Sequence, residues 1–265
     1  MTQTVAPPSA PALVALSADP PGSPGRECVD RLLDSVRRAL PAVTVPDACD
    51  VASGWGIDTE PGGSSSPAEP GPAPVAAAAV LELVERLGVP SILVPLSLSS
   101  RHSAMRLPVA GGGRDEARVA DPLGPDRLLA RALLVRLRQA GAQWGDAVVL
   151  AAGDTSAPAA LAAAEHETAL LASEWGAPVA LACTSAQAPS VEEAVSDLHA
   201  MGADRVFVAS YLLTPGPLAD AVARSARQAH AAGVTDVLAG HRLLVELVVQ
   251  RYRAALDAWG RRGLD

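Results

Sequence analysis

The feature of this sequence that most restricts its possible folds is a repeat near the ends of its two halves. The same residue types recur at one constant separation of 115 positions. The repeated residues are Asp121, Leu123, Arg127, Leu128, Leu129, Arg136 and Arg138, which return as Asp236, Leu238, Arg242, Leu243, Leu244, Arg251 and Arg253. Chance rarely produces so many matches at a single offset, so the repeat indicates a duplicated unit.

Both halves show the alternation of strands and helices that is typical of a parallel α/β unit. Short apolar runs predict strands at 13–16, 43–50, 91–95, 148–151, 179–183 and 205–210, and helical spacing of apolar residues predicts intervening helices. The fold class is therefore predicted as α/β, with two similar domains, each a parallel sheet of about four strands flanked by helices. The predicted boundaries are a disordered lead over 1–10 and domains over 11–142 and 143–265.

The composition limits the classes of partner. The net charge of −8 argues against binding to nucleic acid or to an anionic membrane surface, because both are polyanionic. No stretch approaches the roughly 18 apolar residues of a membrane span, and the N-terminus lacks the basic region of a signal peptide. Three cysteines without paired spacing fit a reducing, cytoplasmic setting.

The apolar run at 91–95 leads into the sequence LSLSSRH, which delivers Arg101 and His102 just beyond the end of the predicted strand. In open α/β sheets this carboxyl edge is where ligands bind. A neutral imidazole suits a borderline divalent metal, and a guanidinium suits a carboxylate on a substrate. The stretch 54–74 is rich in Gly, Ser and Pro, and could be either a lid or an insertion.

The sequences VPLSLSSRH at this exit and DPLGPDRLL before the following helix resemble the sirohydrochlorin chelatase family. The resemblance implies two chelatase-like domains of the class II chelatase type that enclose a tetrapyrrole. It also implies ATP-independent insertion of Fe²⁺ or Co²⁺ in siroheme or cobalamin biosynthesis. The metal is then a substrate, no cofactor is held tightly, and a monomer suffices to build the cleft.

The resemblance also suggests site residues. His102 stands where the family has a histidine after its third strand, so it is predicted to handle the metal and to accept a proton. The family histidine after the first strand is replaced by Ala15, and Pro217 stands at the repeat of His102. A single imidazole needs a carboxylate partner. Asp50 is nearest to the family's usual acidic position, and the other candidates are Asp19, Asp58 and Glu60.

Residues for the anionic substrate are predicted around the same strand exits. Arg101 and Arg106, with Arg114, could be ordinary surface charges, but their clustering in an acidic chain suits the carboxylates of a tetrapyrrole. Three serines at the exits are also predicted to contact it: Ser17, Ser99 and Ser100. Two other interpretations stay open, a non-catalytic descendant that binds a tetrapyrrole or a metal, and an α/β enzyme of unrelated chemistry.

Overall fold

The structure is a computed structural model that describes residues 10–50, 75–99, 117–153, 155–184 and 188–262. Its strands are β1 Ala12–Ser17, β2 Cys49–Asp50, β3 Ser91–Pro95, β4 Ala117–Val119, β5 Ala147–Ala152, β6 Val179–Cys183, β7 Val206–Tyr211 and β8 Gly233–Val234. Its helices are α1 Pro24–Ala39, α2 Val75–Leu87, α3 Arg127–Gln139, α4 Pro158–Trp175, α5 Val191–Ala200, α6 Pro217–Gln228 and α7 Arg242–Arg262. The predicted lead lies almost wholly outside the described residues.

The strands form two parallel sheets with the same topology. The strand order is β2-β1-β3-β4 in the first sheet and β6-β5-β7-β8 in the second. Every residue of β1, β3, β5 and β7 is buried, as expected for central strands that are covered by helices on both faces. The prediction of an α/β fold with two similar four-stranded parallel sheets is confirmed.

Edge strand β2 departs from the prediction, whereas edge strand β6 covers the predicted residues 179–183. A strand is predicted over 43–50, but β2 contains only Cys49 and Asp50, which pair with the end of β1. Earlier in this segment a single backbone bond joins Leu13 to the carbonyl of Thr44, at 2.9 Å. Pro46 then interrupts the ladder, because proline has no N–H to donate. The short strands β4 and β8 complete the predicted number, although no apolar run marks their positions.

Side-chain caps fix the starts of the helices that carry the sequence repeat. The Asp126 side chain accepts a hydrogen bond from the N–H of Leu128 at 2.8 Å at the start of α3. At the repeated position, the His241 ring accepts one from the N–H of Leu243 at 3.2 Å. A polar residue directly before a helix is expected to cap it, and both positions fit this expectation. No helix in the described ranges is both long enough and apolar enough to cross a bilayer.

The last helix of each half packs on the other half. Helix α3 lies against α4 and β7 of the second half, whereas α7 lies against α1, β3 and β4 of the first half. The two helices also contact each other. One hydrophobic core therefore runs through both halves, and it includes Leu33 and Ile92 from the first and Leu150 and Leu247 from the second. The predicted domain boundary between 142 and 143 lies after α3. Separating the chain there would take α3 away from the second sheet and α7 away from the first.

Helix α7 is tied to the first half by two side chains. Arg251 donates hydrogen bonds to the carbonyls of Pro122 and Leu123, at 2.7 and 2.9 Å, and to Asp126 Oδ2 at 2.9 Å. Next to it, the hydroxyl of Tyr252 donates to the carbonyl of Pro11 at 2.7 Å. Because both Arg251 and Asp126 are largely shielded from solvent, this ion pair is worth more than an exposed one.

Arg251→Met tests this anchor. We expect the variant to lose about 2–4 kcal/mol of unfolding free energy, because one buried charge and two carbonyls are left without their donor. Urea denaturation of the full chain measures the loss. Arg253→Met is the matched control, since Arg253 is exposed on the same helix and its replacement is expected to change stability by less than about 0.5 kcal/mol. Equal stability of the two variants would contradict the role of Arg251.

Candidate functional site

The carboxyl ends of central strands from the two sheets meet at one place. The hydroxyl of Thr214, in the loop after β7, donates to Asp19 Oδ1, in the loop after β1, at 2.9 Å. Close by, the hydroxyl of Tyr211 at the end of β7 donates to the carbonyl of Leu98, in the loop after β3, at 3.0 Å. The strand exits of both halves therefore meet at one edge, here called the cleft, and in open α/β sheets this carboxyl edge is the usual place for a ligand.

Asp19 is held in this cleft by its own loop. The hydroxyl of Ser17 donates to Asp19 Oδ2 at 3.1 Å, and the N–H of Asp19 donates back to the Ser17 oxygen at 3.1 Å. Ser17 is buried, whereas Asp19 is only half-buried. The predicted substrate serine Ser17 thus orients the Asp19 carboxylate, which was one of several candidate carboxylates in the sequence.

Other predicted site residues lie along the same edge of the first sheet. The last residue of β2, Asp50, is aligned with Ser17 in the parallel register. Ser99 is half-buried in the β3 exit, where its N–H and its carbonyl both bond the hydroxyl of Ser97. The remaining predicted residues lie outside the described part of the chain, as does the whole stretch 54–74. They are Ser100, Arg101, His102, Arg106, Arg114, Asp58 and Glu60.

The resemblance implies a histidine at positions 15 and 217. In this chain both positions hold a residue with a structural role. Ala15 lies within β1 and is fully buried. Pro217 is the first residue of α6, a position that suits proline because the N–H there has no partner within the helix. Among the described residues, no group of three or more His, Cys, Asp or Glu side chains is placed to hold a metal ion.

A buried carboxyl group lies behind the cleft. Glu167 of α4 is fully buried, and its Oε2 accepts a hydrogen bond from the N–H of Asp126 at 2.9 Å and lies 3.5 Å from the Tyr211 hydroxyl. Its Oε1 has no hydrogen-bond partner among the residues that the structure describes. Burial raises the pKa of Glu167 to about 8, helped by the charge of Asp126 and opposed by both hydrogen bonds. The group is therefore mainly neutral at pH 7.

The backbone is closely packed around this cluster. A Cβ atom on Gly124 would lie 2.2 Å from the Tyr211 hydroxyl and 2.5 Å from the carbonyl of Leu98. Only glycine leaves room for Tyr211 to reach across to the first half. Burial also raises the pKa of Tyr211 well above its usual value, with Glu167 as the next cause, so Tyr211 remains a hydrogen-bond donor at neutral pH.

The sequence contained a signal for Glu167 but not for its partners. The buried face of α4 repeats at helical spacing and consists of Ala160, Ala163, Ala164, Glu167, Leu171 and Trp175. A carboxylate on an otherwise apolar face indicates a buried polar group. Tyr211 and Thr214 follow a predicted strand but belong to no recognisable pattern. Their role depends on residues of the other half more than 100 positions away.

Glu167→Gln tests the neutral state of this carboxyl group. Its pKa rises from about 4.5 to about 8 on folding, so the folded protein binds more protons than the unfolded chain between these pH values. Stability should therefore fall as the pH rises from about 5 to 8, by up to about 1.4 kcal/mol per pH unit. The glutamine variant should be less sensitive to pH and more stable than wild type above about pH 6.

Thermal unfolding between pH 5 and pH 8.5 measures this difference. Glu165→Gln is the control, because Glu165 is exposed on the same helix, and it should retain the pH dependence of the wild type. A glutamine variant at 167 with the wild-type pH dependence would show that Glu167 is ionised in the folded protein.

A family model and several solved structures of known proteins are similar to this chain. A family model described as CbiX matches residues 147–255. SirB from Bacillus subtilis with Fe³⁺ is 17% identical, with a TM-score of 0.72 over 94% of this chain and 97% of that chain. SirB from Bacillus subtilis subspecies spizizenii in complex with cobalt is 16% identical, with a TM-score of 0.66 over 92% and 94%. No curated protein matches the sequence.

A third solved structure is CbiX, described as the terminal enzyme for biosynthesis of siroheme in denitrifying bacteria. It is 18% identical, with a TM-score of 0.60 over 92% of this chain and 98% of that chain. The family match covers the second half, and the structural similarities, at these identities, establish the fold of nearly the whole chain. The resemblance found in the sequence is thereby confirmed. The chain has the two-lobed fold of the sirohydrochlorin chelatases, and residues 147–255 match the family model described as CbiX.

Proposed function

We propose that this protein is a sirohydrochlorin-type chelatase that inserts Fe²⁺ or Co²⁺ into a modified tetrapyrrole. The observation that carries the proposal is the meeting of the β1, β3 and β7 exits from both halves at one cleft. Support also comes from the fold shared with SirB, whose structures are described with Fe³⁺ and with cobalt. The metal is a substrate in this reaction, and no tightly bound cofactor is required.

His102 is the proposed metal-handling residue and proton acceptor. It follows Ser99 by three positions, and a chain of three residues spans at most about 11 Å. The loop that contains Ser99 contacts Tyr211 of the other half through Leu98. An imidazole attached at this distance can reach the cleft, and histidine is the side chain that most often transfers protons in catalysis.

Asp50 is the proposed carboxylate partner of His102. It ends β2 directly beside Ser17, so its backbone lies at the carboxyl edge of the sheet. Insertion replaces the two pyrrole N–H protons of the tetrapyrrole by one divalent ion, and no electron is transferred. His102 and Asp50 each take one of the two protons and pass it to water, while the four ring nitrogens bind the metal.

The substrate's carboxylates are assigned to the cations and hydroxyls at the same edge. Arg101 and Arg106 are the proposed cations, since guanidinium groups bind carboxylates in a bidentate manner. Ser99, Ser100 and Ser17 are proposed to add hydrogen bonds. Local positive charge of this kind is needed because the chain as a whole carries a net charge of −8.

A non-catalytic tetrapyrrole-binding or metal-binding protein is the second candidate function. Two residues favour this function: Ala15, which is fully buried, and Pro217, which begins α6. Neither provides an imidazole to the cleft. A protein with this fold could then bind the pigment or the metal for transport without catalysing insertion.

His102→Ala distinguishes the two functions. Purified protein is mixed with sirohydrochlorin and Co²⁺, and the Soret band is followed against the reaction without protein. We expect the wild type to exceed this background and the variant to be about 100-fold slower than the wild type, the usual contribution of a proton-transferring residue. His166→Ala is the matched control, because His166 is exposed on α4, and it should retain the wild-type rate.

The outcomes separate the hypotheses. Pigment binding without insertion above background by the wild type would favour the non-catalytic protein. Absence of both pigment binding and metal binding would contradict both tetrapyrrole functions. An unchanged insertion rate in the alanine variant would remove His102 from the mechanism.

Asp50→Asn tests the carboxylate partner. The amide keeps the shape of the side chain but cannot accept a proton, so we expect the insertion rate to fall by about 10- to 100-fold while metal-free sirohydrochlorin still binds. Asp47→Asn is the control, because Asp47 is 87% exposed and pairs with Arg37 on the surface. If both variants insert metal at the wild-type rate, another carboxylate fills this role.

A further inference from the structure

The polar contact between Asp19 and Thr214 differs in position from the other cross-half contacts described above. The bonds made by Glu167, Tyr211 and Arg251 connect α4, β7 and α7 to residues that follow β3 or begin α3. Asp19 instead follows β1, which lies between β2 and β3 in the sheet. These three residues therefore form a joint on the side of β3 and the exchanged helices. Tyr252 contacts Pro11, which precedes β1 at the opposite edge of the sheet, so at the carboxyl edge the Asp19 contact lies one strand away from the joint.

The two groups of contacts also differ in solvent exposure. Glu167 and Tyr211 are buried in the joint, with exposed fractions of 0% and 4%. Both Asp19 and Thr214 are only half-buried. A hydrogen bond that water can replace is broken at less cost than one in the protein interior. The contact at Asp19 is therefore the easier of the two to open.

Two residues near Asp19 favour this contact, Ser17 and Gly25. Ser17 holds the other carboxylate oxygen of Asp19 at 3.1 Å while Oδ1 points to the opposite half. Gly25, in the first turn of α1, lies directly against the Asp19 side chain. A Cβ atom there would be 2.1 Å from Asp19 Oδ1 and 3.2 Å from the carbonyl of Pro215. Any side chain at position 25 would push Asp19 away and crowd the β7 exit.

We propose that Asp19 and Thr214 form a latch that closes the cleft between the two halves and that opens to admit the ligand. The two oxygens are 2.9 Å apart, so no group of the ligand can pass between them while the bond is intact. A planar macrocycle that occupies the space between the β1 and β7 exits is compatible only with the open state. Its binding therefore shifts the population toward that state. The identity of this ligand rests on the function proposed above, but the latch itself does not.

Hydrogen exchange of the ligand-free full chain tests the latch without any activity assay. Thr214→Val removes the hydroxyl and keeps the side-chain shape, so we expect amide exchange in 17–23 and in 211–216 to rise by about tenfold, as for the loss of one charge-assisted hydrogen bond. Thr214→Ser is the matched control, because it keeps the hydroxyl and should exchange at the wild-type rate. Gly25→Ala should reproduce the valine result from the opposite side of the contact.

Stopped-flow absorbance with metal-free sirohydrochlorin then tests whether the latch controls admission. We expect Thr214→Val to bind and to release the pigment several-fold faster than wild type or Thr214→Ser. Wild-type exchange rates in both the valine and the Gly25→Ala variants would overturn the latch, whether or not the pigment binds. Faster exchange with no pigment binding by any variant would support the latch and overturn the proposed function. Faster exchange with unchanged binding rates would overturn the control of admission.

Discussion

The exchange of α3 and α7 between the halves is the constraint on which the rest of the structure depends, and Asp126 is its central residue. Its side chain caps α3 and accepts a hydrogen bond from Arg251 of α7, and its N–H donates to Glu167 of α4. Its repeat, His241, caps α7 and lies near Arg136 of α3, where burial and then this arginine lower the pKa of the ring. The neutral ring can thus accept the capping bond. Each exchanged helix sends an arginine toward the start of the other helix. Arg251 pairs with Asp126 at 2.9 Å, and Arg136 pairs with Asp236 at 3.7 Å.

The cleft follows from this exchange. Because α3 and α7 hold the β3 and β7 exits together, Tyr211 can reach the carbonyl of Leu98 and enclose Glu167 away from water. A neutral carboxyl group in this place avoids the cost of burying a charge. The β1 exit lies beyond this joint and contacts the other half through a half-exposed hydrogen bond. The same fold thus joins the two halves by a buried contact on the side of β3 and by a half-exposed contact at the β1 exit.

The central strands could be predicted from the sequence, whereas two of the edge strands and the contacts between the halves could not. The strands β1, β3, β5 and β7 were predicted because they are buried throughout and consist of continuous apolar runs. The edge strands β4 and β8 contain three and two residues, and their pairing is fixed by the neighbouring strand and not by their own composition. In the site, the positions of Ser17, Ser99 and Asp50 at one sheet edge were predictable from the strand ends. The roles of Tyr211 and Thr214 were not, because their partners are in the other half.

The sequence by itself determined the duplication, the parallel α/β architecture and the caps at Asp126 and His241. Each of these is written in local patterns, such as apolar runs, helical spacing and a polar residue before a helix, or in an exact repeat. Only the tertiary structure decided that the terminal helices cross to the opposite halves, that Glu167 is buried against Asp126 and Tyr211, and that Thr214 contacts Asp19. These features arise from hydrogen bonds and packing between segments distant in the chain, so they exist only after both halves have folded against each other.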